Sequence, residues 1–352
     1  MAAGGAMLNS YKMGKDNIGA RILEETEHHL WDDFVNSSPQ GSIFTSIEWL
    51  LASSNACGKP LKLFGCFDGD ALIGVCPLYT DIIHRILKTA SSTAFMSPYG
   101  GIILPYNNSS NIRKIESKNR EIINIMTNEI IKKRYDIISI TNSPNFIDVR
   151  PLLWNGWNTH ILYTYSISLV DNLWTKISRK ARNTIKKAEK NNINVYKKLD
   201  RDVYWELTLN TYKKQNKKPP FLKQYLTKML NLIIKNNLGE MWVAELESGE
   251  IASAEIIVWD NKRAHRWSAA SNYSLRDTGA TSFLLLEIFH DLQSRGCKEI
   301  NLMAGNTPQL SMFISGFNPQ LVPYYRLGKI SSVKGRLFHS IDQISKFRGM
   351  YY

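Results

Sequence analysis

The spacing of apolar residues along this chain switches between three-to-four and two, and the switches divide it into alternating helices and strands. Leu23, Leu30, Trp31 and Phe34 predict a helix over 21–35, which the run SSPQGS ends. A second helix follows over 47–56, with Trp49 and Leu50 facing inward. Residues 61–67 and 71–79 read as a hairpin about Asp68-Gly69-Asp70. A helix over 111–134 and strands over 135–141 and 157–169 complete the first half, the last strand crossing toward the second half.

The second half repeats that order. Leu173, Ile177, Ala181, Ile185 and Ala188 mark one helix over 172–191, followed by a strand over 193–198. Helices over 202–214 and 221–236 flank the breaker NKKPP. A hairpin over 241–259 and a strand over 263–270 lead to a helix over 281–294, whose apolar face includes Leu284, Ile288, Phe289 and Leu292 and which Gly296 stops. A strand over 299–303, a Gly305-Asn306 turn, a short helix ending at Ser315-Gly316-Phe317 and a strand over 321–327 come next. Helices, hairpin, turn-rich loop, helix and strand thus occur twice, as a duplicated domain would have them. The predicted class is α/β (α+β), each half a mixed, largely antiparallel sheet flanked by helices. The boundaries expected are a flexible lead over 1–20, domains over 21–165 and 166–330, and an amphipathic tail helix over 331–352. The tail's stripe of Val333, Leu337, Phe338, Ile341, Ile344 and Phe347 suits a docked helix or peripheral membrane contact.

Composition narrows the chemistry. The four cysteines among 352 residues show no CxxC spacing and no Cys/His cluster, so neither a zinc site nor a disulfide scaffold is expected, and the compartment implied is the reducing cytoplasm. No run of some 20 apolar residues marks a membrane span. The formal charge is +13, and residues 171–235 hold 17 Lys and Arg against 5 Asp and Glu, nearly the whole excess. Such a block attracts phosphates on a cofactor, an RNA or a lipid surface, or is simply a solvated basic face. RNA-recognition aromatics are missing, and DNA is not an expected partner.

Candidate site residues cluster in the second half. Arg276, Gly279, Ala280, Thr281 and Ser282 form a loop opening a helix, where unpaired N–H groups and the helix dipole favour a phosphate; a plain capped helix start has the same residues. Arg179 and Arg182 on the basic helix are further phosphate candidates. Trp267, Ser268 and Ser271 end the strand before the loop, and Ser268 joins Glu255 and Asp277 as candidate catalytic groups. Tyr99 and Gly100 in the SPYGG loop, with Trp267, Ser271, Asn306 and Phe313, are candidates for substrate binding. No G-x-S-x-G spacing supports a serine nucleophile.

The ordered set Trp174, Ile177, Ser178, Lys180, Arg182, Ile185, Lys187, Ala188, Glu189, Ile193 and Val195, then the hairpin, the helix ending at Arg295-Gly296, and Phe313-x-x-Gly316-Phe317, resembles the Fem-type and related acyltransferases of the GNAT superfamily. The resemblance spans about 41–329 and implies two tandem GNAT-like domains. It implies an acyl group, acetyl in the simplest case, carried by acyl-CoA to an amine or hydroxyl of a cell-envelope sugar or peptide. The alternative donor within the family is aminoacyl-tRNA, and a non-catalytic RNA- or membrane-surface adaptor on the same fold is a third reading. Arg276 to Thr281 stand where the superfamily's pyrophosphate loop belongs. Two departures are Asn301, where relatives often have Asp, and Ile314, where they often have Lys, so an oxyanion donor would have to come from elsewhere.

Overall fold

The computed structural model describes residues 18–170, 172–213 and 216–338. The first half contains β1 (Ile18–Ile22), helices α1 (His28–Ser37) and α2 (Ile47–Cys57), and strands β2 (Leu61–Asp68), β3 (Ala71–Ile83) and β4 (Leu87–Ser91). Helix α3 (Ile112–Lys132), β5 (Ile137–Thr141), α4 (Arg150–Trp154) and β6 (Asn158–Ser168) follow. Helices α5 (Leu173–Lys176) and α6 (Arg179–Lys190) then lead to β7 (Asn194–Lys197), α7 (Arg201–Lys213), α8 (Lys223–Lys235), β8 (Gly239–Glu245), β9 (Ile251–Trp259) and β10 (Ala264–Ser271). Helix α9 (Ala280–Ser294), β11 (Glu299–Asn301), α10 (Pro308–Ser315) and β12 (Gln320–Ile330) close the order.

The 12 strands among the described residues form one sheet, ordered β1-β2-β3-β4-β5-β12-β6-β11-β10-β9-β8-β7. The repeat expected from the sequence is present in the pairing. In each half three antiparallel pairings are followed by one parallel pairing, β4 with β5 and β10 with β11. The last strand of each half is exchanged: β12 pairs with β5, β6 pairs with β11, and the two lie side by side at the centre. The crossing expected for 157–169 is therefore real, and its counterpart returns from the other end of the chain.

Four local expectations are corrected. The basic helix expected over 172–191 is broken at Ile177 and Ser178: Ile177 is buried, and the Ser178 side chain accepts the Ala181 N–H as the cap of α6. Residues 18–22, placed in the lead and the first helix, form edge strand β1 beside β2. Strand β4 was not expected, because LKTAS carries too few apolar residues to show a period of two. The strand expected over 299–303 ends at Asn301. Residues 333–338 are helical, whereas Ile341, Ile344 and Phe347 of the tail stripe lie outside the described residues. No helix among the described residues is long and apolar enough to cross a membrane.

The second half is cored on both faces of its sheet. Ile185, Leu284, Ile288, Phe289 and Phe317 pack beneath α6, α9 and α10. Leu226, Met229, Ile233 and Trp267 fill the other face beneath α7 and α8, together with Trp49 and Tyr99 from the first half. The β9–β10 turn ties the halves. Asp260 Oδ2 accepts the Ile43 N–H at 2.9 Å. The Lys262 ammonium donates to the carbonyls of Ser38 at 2.5 Å, Val35 at 3.1 Å and Gly41 at 3.4 Å.

Candidate active site

The two parallel pairings differ in how far they extend. In the first half β4 and β5 stay zipped: Ser92 N–H reaches Ser139 O at 2.9 Å, and Gly100 N–H reaches Thr141 O at 3.0 Å. In the second half β10 and β11 pair only as Ala264 with Ile300 and His265 with Asn301. From Arg266 onward β10 is bonded to β9 alone, and Trp267 is the extra residue of a bulge that turns the strand. A cavity of about 480 Å³ opens at this parting.

One end of the cavity is the start of α9. Gly279 has φ +86°, a left-handed conformation that side chains disfavour, and as N-cap it brings no side chain over the first turn. Gly279, Thr281 and Ser282 line the cavity with Arg276, and the helix dipole points its positive end there. Ser178, Lys180 and Thr184 of the broken basic helix form a second wall. The third wall is apolar, with Leu310, Met312, Phe313 and Phe317 from α10 and its end. Ala269, Ala270 and Ser271 supply the strand side, and Glu255 and Arg266 the floor.

That floor is a buried ion pair. Arg266 Nε and Nη2 donate to Glu255 Oε2 and Oε1 at 2.8 and 2.6 Å. Glu255 is 1% exposed and Arg266 7%. Burial pushes the Glu255 carboxyl above its ordinary value, and the guanidinium pulls in the other direction.

Of the residues singled out from sequence, the structure brings Glu255, Ser271, Arg276, Gly279, Thr281, Ser282 and Phe313 to this one cavity. The others lie elsewhere. Ala280 is buried beneath the loop. The Asp277 side chain is 84% exposed beside Arg276. Ser268 accepts the Tyr204 hydroxyl at 2.6 Å, and Trp267 donates its Nε1 to Met96 O at 2.9 Å, both within the packing under α7 and α8. The Tyr99 hydroxyl lies 3.2 Å from His265 Nδ1 in the contact between halves, and a Cβ on Gly100 would meet Ser92 O at 2.4 Å, so the SPYGG loop is a packed joint. Asn306 clasps Tyr163 through its N–H and C=O. Arg179 borders a shallow neighbouring depression, and Arg182 Nη1 bonds the carbonyls of Trp174 and Thr175.

Sequence reasoning passed over Arg266 and Lys180 as site residues and, apart from Phe313, the α10 wall. A charge inside an otherwise buried strand was the available signal for Arg266. Its meaning depends on the bulge, which sets the reach to Glu255. The two departures from the family pattern are also placed. Ile314 is fully buried and offers no donor. Asn301 Oδ1 accepts the Thr164 hydroxyl at 2.6 Å and the Met303 N–H at 2.9 Å.

Residues 176–308 match the family model described as an acetyltransferase (GNAT) domain. No curated protein matches the chain. Among solved structures, FemX superposes with a TM-score of 0.63 at 13% identity, over 92% of this chain and 99% of that one. The C-terminal domain of a putative lysylphosphatidylglycerol synthetase from Agrobacterium fabrum gives 0.54 at 11% identity, over 89% and 94%. A tandem GNAT protein from the clavulanic acid biosynthesis pathway gives 0.52 at 10% identity, over 89% and 98%. At these identities the likeness is one of fold. The fold and the matched domain mark a transferase built on tandem GNAT-like units. In fold the chain resembles the Fem-type acyltransferases.

Proposed function

We propose that the protein transfers an acyl group, acetyl in the simplest case, from acyl-CoA to an amine or hydroxyl of a cell-envelope sugar or peptide in the cytoplasm. The observation that carries this reading is the cavity at the parting of β10 and β11, closed at one end by the start of α9, where Gly279 brings no side chain and the Thr278 hydroxyl accepts the Ala280 N–H at 3.3 Å. The donor's phosphates would meet the N–H groups of α9 with Arg276 and Lys180, and its arm would run along the free edge of β10. The donor site then belongs to the second half, proposed as residues 166–330. Catalysis would rest on positioning and on stabilising the charge that develops on the carbonyl oxygen. A second cavity of about 610 Å³ shares Phe317 with the first and takes residues from both halves, among them Asn145, Arg263 and Lys298. It is the proposed entry for the acceptor.

Calorimetric titration with acetyl-CoA tests the donor assignment. Ala269 is exposed and lines the cavity, so Ala269→Trp fills the space without entering the core. Saturable binding to the wild type, weakened at least about ten-fold in the variant, is expected. No binding of acetyl-CoA or a longer acyl-CoA to the wild type would overturn it.

The basic face of α6 favours aminoacyl-tRNA as the second reading. Arg179, Lys180 and Lys187 border a depression beside the cavity. RNA held there would bind with a steep dependence on salt.

A further inference from the structure

We propose that the Arg266 guanidinium donates a hydrogen bond to the reacting carbonyl oxygen of the donor, with Glu255 as the residue that positions it. This rests on the donor reading of the cavity. Two opposite charges inside a strand pair are a poor way to gain stability, because desolvation offsets their attraction and packed apolar side chains would serve as well. The pair is nonetheless almost wholly enclosed, with Glu255 1% and Arg266 7% exposed. Its geometry leaves one group unspent. Glu255 takes Nε and Nη2 of the guanidinium. Nη1 has no partner among the described residues and is not among the occluded polar atoms, so its outlet is the cavity that Arg266 lines.

The position along the strand suits that role. Ser271 stands at the cavity beside the start of α9, and Arg266 lies five residues deeper on β10, about 16 Å away at the usual rise of a strand. A donor anchored by its phosphates at α9 and extended along the free edge of β10 delivers its thioester near Arg266, where β11 rejoins the sheet. The other cations of the cavity, Lys180 and Arg276, are exposed at its rim. A rigid fork held by a carboxylate is organised before the reaction, which is what charge stabilisation in the transition state requires.

In the step itself the acceptor's nitrogen or oxygen bonds to the carbonyl carbon, and the C=O electron pair moves onto the oxygen facing Nη1. Collapse re-forms C=O and breaks the C–S bond. The proton released by the acceptor ends, through solvent, on the departing thiolate. Arg266 keeps its protons throughout, and Glu255, with both oxygens engaged, holds the fork in place of acting as the base.

Isotope-edited infrared spectroscopy of acetyl-CoA carrying a ¹³C carbonyl reads this contact without an acceptor. In the wild-type complex the thioester band is expected at lower frequency than in Glu255→Gln/Arg266→Met, a double change that leaves no lone buried charge. Arg266→Lys, which keeps the cation beside Glu255 but lacks the second fork, is expected to lose the shift as well, and covers the case in which the double variant does not fold. Thermal denaturation checks each fold, and calorimetry checks that the probe still binds. Bound probe with the same band in the wild type and in a folded variant would overturn the role of Arg266 and leave the donor site standing. A wild type that binds no acetyl-CoA would overturn the donor reading and this inference with it.

Discussion

A Cβ placed on Gly279 would stand 2.4 Å from the carbonyl oxygen of Thr184, so the loop that opens α9 lies in backbone contact with the basic helix α6. The contact joins the two walls that would hold the donor's phosphates. Residue 279 is left-handed as well, with φ +86°. Gly279→Ala is therefore expected to lose about 1–2 kcal/mol from the backbone alone, with a further cost from displacing α6. Differential scanning calorimetry reads the stability, and acetyl-CoA titration of the still-folded variant should show weakened binding. Unchanged binding would place the donor away from this loop.

Lys262 serves as the pin between halves, its ammonium surrounded by the carbonyls of Val35, Ser38 and Gly41. Burial pushes its pKa below the usual lysine range, while Asp260 opposes that shift. Lys262→Met keeps the length of the side chain and removes the donors. A loss of about 1.5–3 kcal/mol is expected in urea unfolding, in line with hydrogen bonds made by a charged group. A variant as stable as the wild type would show that the pin is dispensable.

His265 is fully buried and faces Tyr99 through Nδ1, while its Nε2 lies 3.5 Å from Asp260 Oδ2, at the outer edge of hydrogen-bonding range. Burial pushes the imidazole below its ordinary pKa, against the pull of Asp260 and Glu299 and with the push of Arg263. Burial acts to raise Asp260, but His265 and the N–H groups of Lys262 and Ile43 outweigh it and bring that carboxyl to about 2. Asp260 therefore stays ionised at mildly acidic pH. Below the ordinary histidine pKa of about 6.5 the unfolded chain takes up a proton that the folded chain refuses. Stability should then fall as pH drops from 7.5 to 5.5, with a slope from this group of at most about 1.4 kcal/mol per pH unit. Urea unfolding of His265→Gln at both pH values should show a smaller difference than the wild type.

The α6 face separates the two donor readings. Lys180 and Lys187 border the depression beside the cavity. With acyl-CoA as donor, Lys180→Gln/Lys187→Gln should weaken acetyl-CoA binding only a few-fold, roughly the scale of a screened exposed charge. With charged tRNA as donor, the same change should lower the slope of log affinity against log salt by about 1–2. Filter binding across a salt series measures that slope.

Much of the fold was legible because periodicity reports burial. The face of α9 that carries Leu284, Ile288, Phe289 and Leu292 is buried as expected, and the hairpins at 68–70 and 248–250 fall where their turn residues stand. Part of the cavity was legible too, since a glycine-containing loop before an apolar helix announces an open helix start. Ser268, Trp267 and Tyr99 were less legible, because a residue near a strand end faces the cavity or the opposite core according to the pleat and the bulge at Trp267.

Local order along the chain, the duplication of elements and the basic character of 171–235 follow from residue types and their spacing, which act over a few neighbours. The exchange of β6 and β12, the breaking of 172–191 at Ser178 and the meeting of Arg266 with Glu255 depend on which distant segments win each other's surfaces. The same holds for the open parting of β10 and β11 against the zipped β4 and β5. Strand pairs form from backbone groups that every residue carries, so their partners and their extent are decided by the packing of the whole sheet.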